Sequence, residues 1–199
     1  MKKPNYSNQH FSFEFFSCLL IVLLLTNSPV LAGVSDPPPG YEEIVGLAED
    51  KWDKGDLVAA DSMYRQAFSQ MLAANDVTER KLAHQLSHYA QLLNEFGQPD
   101  QTQLAVSESL YLYTETKREK PAEYVFAIVV LAESYELLKN LDEAEQIYSI
   151  AIEQERDLSV KNLNNVALGY AGLARINARR GDKNKASKFY RKSQHYYKL

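Results

Sequence analysis

The stretch NLDEAEQIYSIAI, residues 140–152, places Ala144, Tyr148 and Ala151 at offsets of zero, four and seven. An earlier stretch, GDLVAADSMYRQAF at 55–68, repeats the small, large, small order with Ala60, Tyr64 and Ala67. Intervals of three, four and seven bring residues onto one face of an α-helix, so both segments read as helices with a notched apolar stripe. The notch lets another helix approach closely, and the tyrosine fills the gap one turn beyond.

Sliding the chain against itself by 42 residues recovers this pattern four times without an insertion. The first small residue recurs at Ala60, Thr102, Ala144 and Ala186, the large one at Tyr64, Val106, Tyr148 and Tyr190, and the second small one at Ala67, Ser109, Ala151 and Ser193. Upstream, Ala48, Ala90, Ala132 and Ala174 keep one phase, each preceded by Leu47, Tyr89, Leu131 or Leu173. The punctuation repeats as well, at Gly55, Gly97, Lys139 and Gly181, followed by Asp56, Gln98, Asn140 and Asp182. Glycine accepts the left-handed conformation that ends a helix, and Asp or Asn caps the next one. Each unit is therefore helix, turn, helix.

These residues resemble the tetratricopeptide repeat (TPR), and the 42-residue period is similar to its longer variety, found in kinesin light chains. The resemblance spans about 41–199 and implies an all-α fold, an αα-superhelix of four helix-turn-helix repeats and eight helices. The repeats run at about 41–82, 83–124, 125–166 and 167–199. The paired helices are predicted near 41–54 and 57–73, 77–96 and 100–117, 121–139 and 142–157, and 159–180 and 183–197. Pro121 marks a helix start, and Asp76 with Glu79 reads as a capping box. The second copy departs most from the pattern, with Thr102, Val106 and Ser109.

Of the 199 residues, 45% are hydrophobic and 24% charged, an ordinary globular balance. The start differs: Lys2 and Lys3 precede an apolar run from Phe15 to Leu25, and Val30 and Ala32 are spaced like a cleavage site. Residues 1–32 read as a signal peptide cut after Ala32, implying an exported and periplasmic protein. The alternative is an uncleaved membrane anchor. The single cysteine, Cys18, lies within that run, so the mature chain has no thiol. Residues 33–40, GVSDPPPG, read as a stiff linker.

Catalytic constellations are missing: there is no phosphate-cradling glycine loop and no GxSxG elbow. His84 and His88 lie one helical turn apart, yet no Glu of an HExxH motif and no third ligand accompany them. Neither an enzyme, a metal nor a cofactor is expected.

The resemblance implies a concave groove lined by the first helix of each pair, which binds a protein or peptide. Its phases select Glu49 and Trp52 in the first copy and His84, His88, Gln91 and Asn94 in the second. The third gives Phe126, Val129, Val130, Glu133 and Glu136, and the fourth Gly172, Arg175 and Arg179. Glu133 and Arg175 are expected as surface charges. Trp52 either anchors a peptide side chain or covers the first repeat, and Phe126, Val129 and Val130 belong either to the groove or to the core. The Lys and Asn of carboxylate-gripping TPR domains are replaced here by Val45, Glu49, His88, Phe126 and Val130, which argues against that clamp.

Charge is segregated along the chain. Residues 175–199 hold nine Lys or Arg against Asp182 alone, whereas 33–174 hold 11 basic and 24 acidic residues. The basic end interleaves aromatic side chains, which suits an anionic membrane surface, an acidic partner or another copy better than nucleic acid. Phe189, Tyr196 and Tyr197 are expected to leave some aromatic surface exposed. A homo-oligomer through this helix is the alternative to a groove-binding scaffold.

Overall fold

The computed structural model describes residues 40–74, 76–115, 122–157 and 162–199. The readings at 1–32, at 33–39 and at Pro121 lie outside the described residues. Among the described residues eight helices follow one another: α1 (Tyr41–Asp53), α2 (Leu57–Ala73), α3 (Glu79–Glu95), α4 (Pro99–Glu115), α5 (Ala122–Leu137), α6 (Leu141–Asp157), α7 (Leu163–Arg179) and α8 (Lys183–Tyr196). Each odd helix pairs with the even helix that follows it, and the pairs stack in chain order. The fold is the expected all-α superhelix of helix-turn-helix units.

The turn inside every pair is the same object. Gly55, Gly97, Lys139 and Gly181 all have positive φ, between 64° and 81°. At each, the next backbone N–H reaches five residues back: Asp56 to Lys51, Gln98 to Leu93, Asn140 to Tyr135 and Asp182 to Asn177, at 2.9 Å. This is the Schellman closure of a helix end. Lys139 adopts it without glycine's freedom. Asp56 and Asp182 then cap α2 and α8 by accepting from Ala59 and Lys185 N–H at 3.2 and 3.0 Å. For α3 the cap is Thr78, whose Oγ1 accepts from Lys81 N–H at 3.3 Å, so the box expected at Asp76 is displaced by two residues.

Within the array the notched stripe is fully buried: Ala60, Thr102 and Ala144 are each 0% exposed, as are Tyr64, Val106 and Tyr148. Tyr190, in the same phase on α8, is 58% exposed. The difference is one of neighbours, because the other three are covered by the following pair. The core forms two clusters that meet on α5, with Ala127 and Val130 in one and Val125, Ile128 and Val129 in the other. Helix α5 touches α3, α4, α6 and α7, which explains why its sequence is apolar around most of its circumference.

The odd helices α3, α5 and α7 also pack directly on one another, more closely than the even helices do. Closer spacing on one side bends the stack towards that side, so the odd helices form its inner face.

Candidate functional site

A spacing of 42 places Glu49, Gln91, Glu133 and Arg175 at equal positions on α1, α3, α5 and α7, making one row across the inner face. One turn further on, Trp52, Asn94 and Glu136 make a second row.

Near the start of the odd helices the face is aromatic. The rings of His84 and His88 are 4.5 Å apart, and His88 lies 5.3 Å from Phe126 on α5. Burial, and then the field of His84, lower the His88 pKa to about 4, with Glu123 opposing them. The two histidines are half-buried members of a ladder rather than freely accessible groups. Beside His84 an open hollow of about 280 Å³ is lined by Thr78, Arg80, Lys81, Tyr113 and Glu123.

Near the ends of the odd helices the face is charged. Asn94, Glu95, Glu133, Glu136, Leu137, Arg175 and Arg179 line a hollow of about 210 Å³. Its hub is Glu136, only 4% exposed. Arg175 Nε donates to both carboxylate oxygens at 3.1 Å, its Nη2 to Oε2 at 2.9 Å, and the Tyr148 hydroxyl to Oε2 at 3.0 Å. Arg175 Nη2 also donates to the Tyr148 oxygen at 2.9 Å, and Arg179 Nη1 to the Glu136 backbone carbonyl at 3.2 Å. Burial works against the Arg175 charge, but hydrogen bonding to Glu136 and the fields of Tyr148, Glu136 and Glu133 raise its pKa. Burial raises the pKa of Glu133, reinforced by Glu136 and Glu95 and opposed by Arg175.

Several expectations change against this geometry. Val130 is 1% exposed and Val129 1%, so both belong to the core and offer the groove no side chain. The physical reason is the enclosure of α5 by four helices. Gly172 is buried beneath the Tyr148 ring instead of lining the face. Arg175 and Glu133 are not independent surface charges, since Arg175 is committed to a nearly buried carboxylate. Trp52 is half-buried against the core and its Nε1 donates to Glu95 Oε2 at 2.7 Å, bridging α1 to α3. Phe126, His84, His88, Gln91, Glu49 and Arg179 keep some exposure on the inner face.

Two of the residues selected by phase, Glu136 and Asn94, organise the hollow, a role that phase alone did not assign them. Asn94 Nδ2 donates to the Val130 carbonyl at 3.0 Å and ties α3 to α5. The signal available for Glu136 was the pair of arginines 39 and 43 residues downstream, one repeat away on the facing helix.

At the far end of the array, Phe189 and Tyr196 are half-buried. Their rings stack on Tyr170 with centroids 6.1 and 5.7 Å away, whereas Tyr197 is 48% exposed. Among the described residues no group of three His, Cys, Asp or Glu side chains is arranged to hold a metal, and no helix is long and apolar enough to cross a membrane.

No protein-family model and no curated protein matches the chain. Among solved structures, the crystal structure of a Rap protein complexed with Competence and Sporulation Factor superposes with a TM-score of 0.70 at 16% identity. The likeness covers 79% of this chain and 43% of that one, so the chain spans less than half the length of this neighbour. At that identity the likeness shows the fold alone, a TPR-type solenoid of helix pairs.

Proposed function

We propose that this protein is a non-catalytic scaffold of the longer, 42-residue TPR variety that binds a protein or peptide segment along its inner face. One observation carries the reading: the open hollow above Glu136 is lined by α3, α5 and α7 together, and His84, on the same helix face as Gln91, also lines a second hollow at the start of α3. Side chains of different repeats line each hollow. An extended peptide running along the odd helices from their starts to their ends meets an aromatic strip, then a charged one, which suits side-chain recognition in a shallow groove. The Rap protein, whose crystal structure holds Competence and Sporulation Factor in complex, is consistent with such use of the fold.

The setting proposed from the sequence is an exported, periplasmic one, with residues 1–32 as the signal. The alternative function is a structural subunit that uses the basic, aromatic α8 to self-associate or to dock on an anionic membrane. Photocrosslinking tests the groove. With p-benzoylphenylalanine in place of His84 on the inner face, a partner is expected to crosslink in the native compartment. In place of Gln146, exposed on α6, it is not. Crosslinks from position 146 alone overturn the reading.

A further inference from the structure

The two ends of the array expose residues at phases that the interior buries, and they do so in a complementary way. Inside the stack, Tyr64 of α2 packs on Tyr89 of α3, with ring centroids 5.6 Å apart. Both are covered, at 0% and 2% exposure. One period later Val106 is at 0% while Leu131 is half-buried against the core, and two periods later Tyr148 of α6 lies over Gly172 of α7, with Tyr148 and the adjacent Leu173 at 0% and 4%. At the tail, Tyr190 occupies the phase of Tyr64 and Tyr148 and is 58% exposed. At the head, Leu47 occupies the phase of Tyr89 and Leu173 and is 44% exposed. Among the described residues, no following helix covers the aromatic ring of Tyr190 and no preceding helix covers Leu47.

Charge matches the same pairing. Helix α1 carries Glu42, Glu43, Glu49, Asp50 and Asp53 against Lys51 alone. From Lys183 to Leu199 the chain carries Lys183, Lys185, Lys188, Arg191, Lys192 and Lys198 and no acidic side chain. The step of 42 residues that brings Glu133 to Arg175, with Oε1 and Nη2 3.4 Å apart, brings Arg175 to Glu49 of a second copy when continued past the tail. Glu49 is exposed.

We infer that a second copy of this chain docks its α1 on the α7–α8 end of the first, continuing the repeat stack head to tail with Leu47 over Tyr190 and Glu49 facing Arg175. The contact is heterologous, so it leaves a free head and a free tail and grows into short chains of molecules rather than a closed dimer. Opposite charges on the two ends steer the encounter and weaken it in salt. This rests on the ends of the array and is independent of the groove reading.

Sedimentation velocity on the full-length chain tests it. Wild-type protein is expected to shift to larger species as concentration rises at about 10 mM salt, where charges are felt over roughly 30 Å, and to revert towards monomer at about 0.5 M salt. Leu47→Asp and Tyr190→Asp alter exposed positions and are each expected to weaken association by about tenfold or more. Mixing the two variants in equal amounts restores a dimer that does not grow, because one supplies an intact tail and the other an intact head. That recovery also demonstrates that both variants are folded. Three outcomes overturn the inference. The first is a wild type that stays monomeric at low salt, with or without capture of α8 by phosphatidylglycerol vesicles. The second is a Leu47→Asp protein that still dimerises alone, which means a tail-to-tail contact. The third is association that survives in the Leu47→Asp, Tyr190→Asp double variant.

Discussion

Gly172 on α7 lies directly beneath the ring of Tyr148 on α6, so closely that a Cβ added there would fall within 2.5 Å of the ring carbons Cζ, Cε1 and Cε2. The ring cannot retreat, because its hydroxyl is held by Glu136 and Arg175. Alanine at this position gains about 1 kcal/mol of helix propensity over glycine but overpacks a pinned aromatic. Gly172→Ala is expected to lower unfolding free energy by about 1–3 kcal/mol in urea titration. An unchanged or raised midpoint would show that the ring is free to move.

Glu136 and Glu133 are both carboxylates beside Arg175, with different consequences. Glu136 is 4% exposed and receives hydrogen bonds from Arg175 and Tyr148. Breaking a fully buried pair from one side costs about 3–5 kcal/mol, and the 43% exposure of the Arg175 side chain moderates this. Glu136→Gln is therefore expected to cost about 2–3 kcal/mol. Glu133→Gln, at the 3.4 Å edge of the network, is expected to cost less than about 1 kcal/mol. Chemical denaturation of the two variants side by side checks the order, and equal losses would remove Glu136 from its role as hub.

Lys139 holds the left-handed conformation that glycine holds in the other three turns, with φ at 64°. A side chain in that region costs roughly 1 kcal/mol or more, partly offset by the greater freedom of an unfolded glycine. Lys139→Gly is expected to stabilise the protein by about 0.5–1 kcal/mol, and Lys139→Val to destabilise it. Thermal melts decide between gain and loss.

His88 gives the fold a pH dependence whose sign follows from its lowered pKa of about 4. The unfolded chain binds a proton near pH 6.5 and the folded chain binds it only at lower pH, so acid favours unfolding. The stabilising contribution is complete above about pH 6.5 and is lost progressively towards pH 4. The part between pH 6.5 and 5 lies above the usual carboxylate range. His88→Gln is expected to flatten melting temperature against pH in that interval. A histidine NMR titration should place His88 well below an unperturbed imidazole, and a midpoint near 6.5 would place the ring in water.

The groove as read from the sequence was partly legible. Phases counted along the repeat placed His84, Gln91, Phe126 and Arg179 on the inner face, where the structure has them. The same count also assigned Val130 and Gly172 to that face, and both are buried. A phase specifies the direction a side chain leaves its helix, but not how many neighbours stand in that direction. Helix α5 is enclosed on several sides, and Tyr148 covers Gly172.

What the sequence determined by itself was everything that recurs locally: the helices, the Schellman turns with their left-handed residue, and the small, large, small stripe. These depend on backbone conformation and on side chains three or four residues apart, so the order of residues is sufficient to specify them. The tertiary structure alone decided which members of equivalent positions are buried. Tyr64 and Tyr148 are sealed while Tyr190 faces solvent, and Glu133 is half-buried against Arg175 while Glu49 is an exposed charge. Their residue types and phases are nearly alike. Burial and charge pairing belong to the next helix in space, so identical positions acquire different environments according to the neighbour each receives.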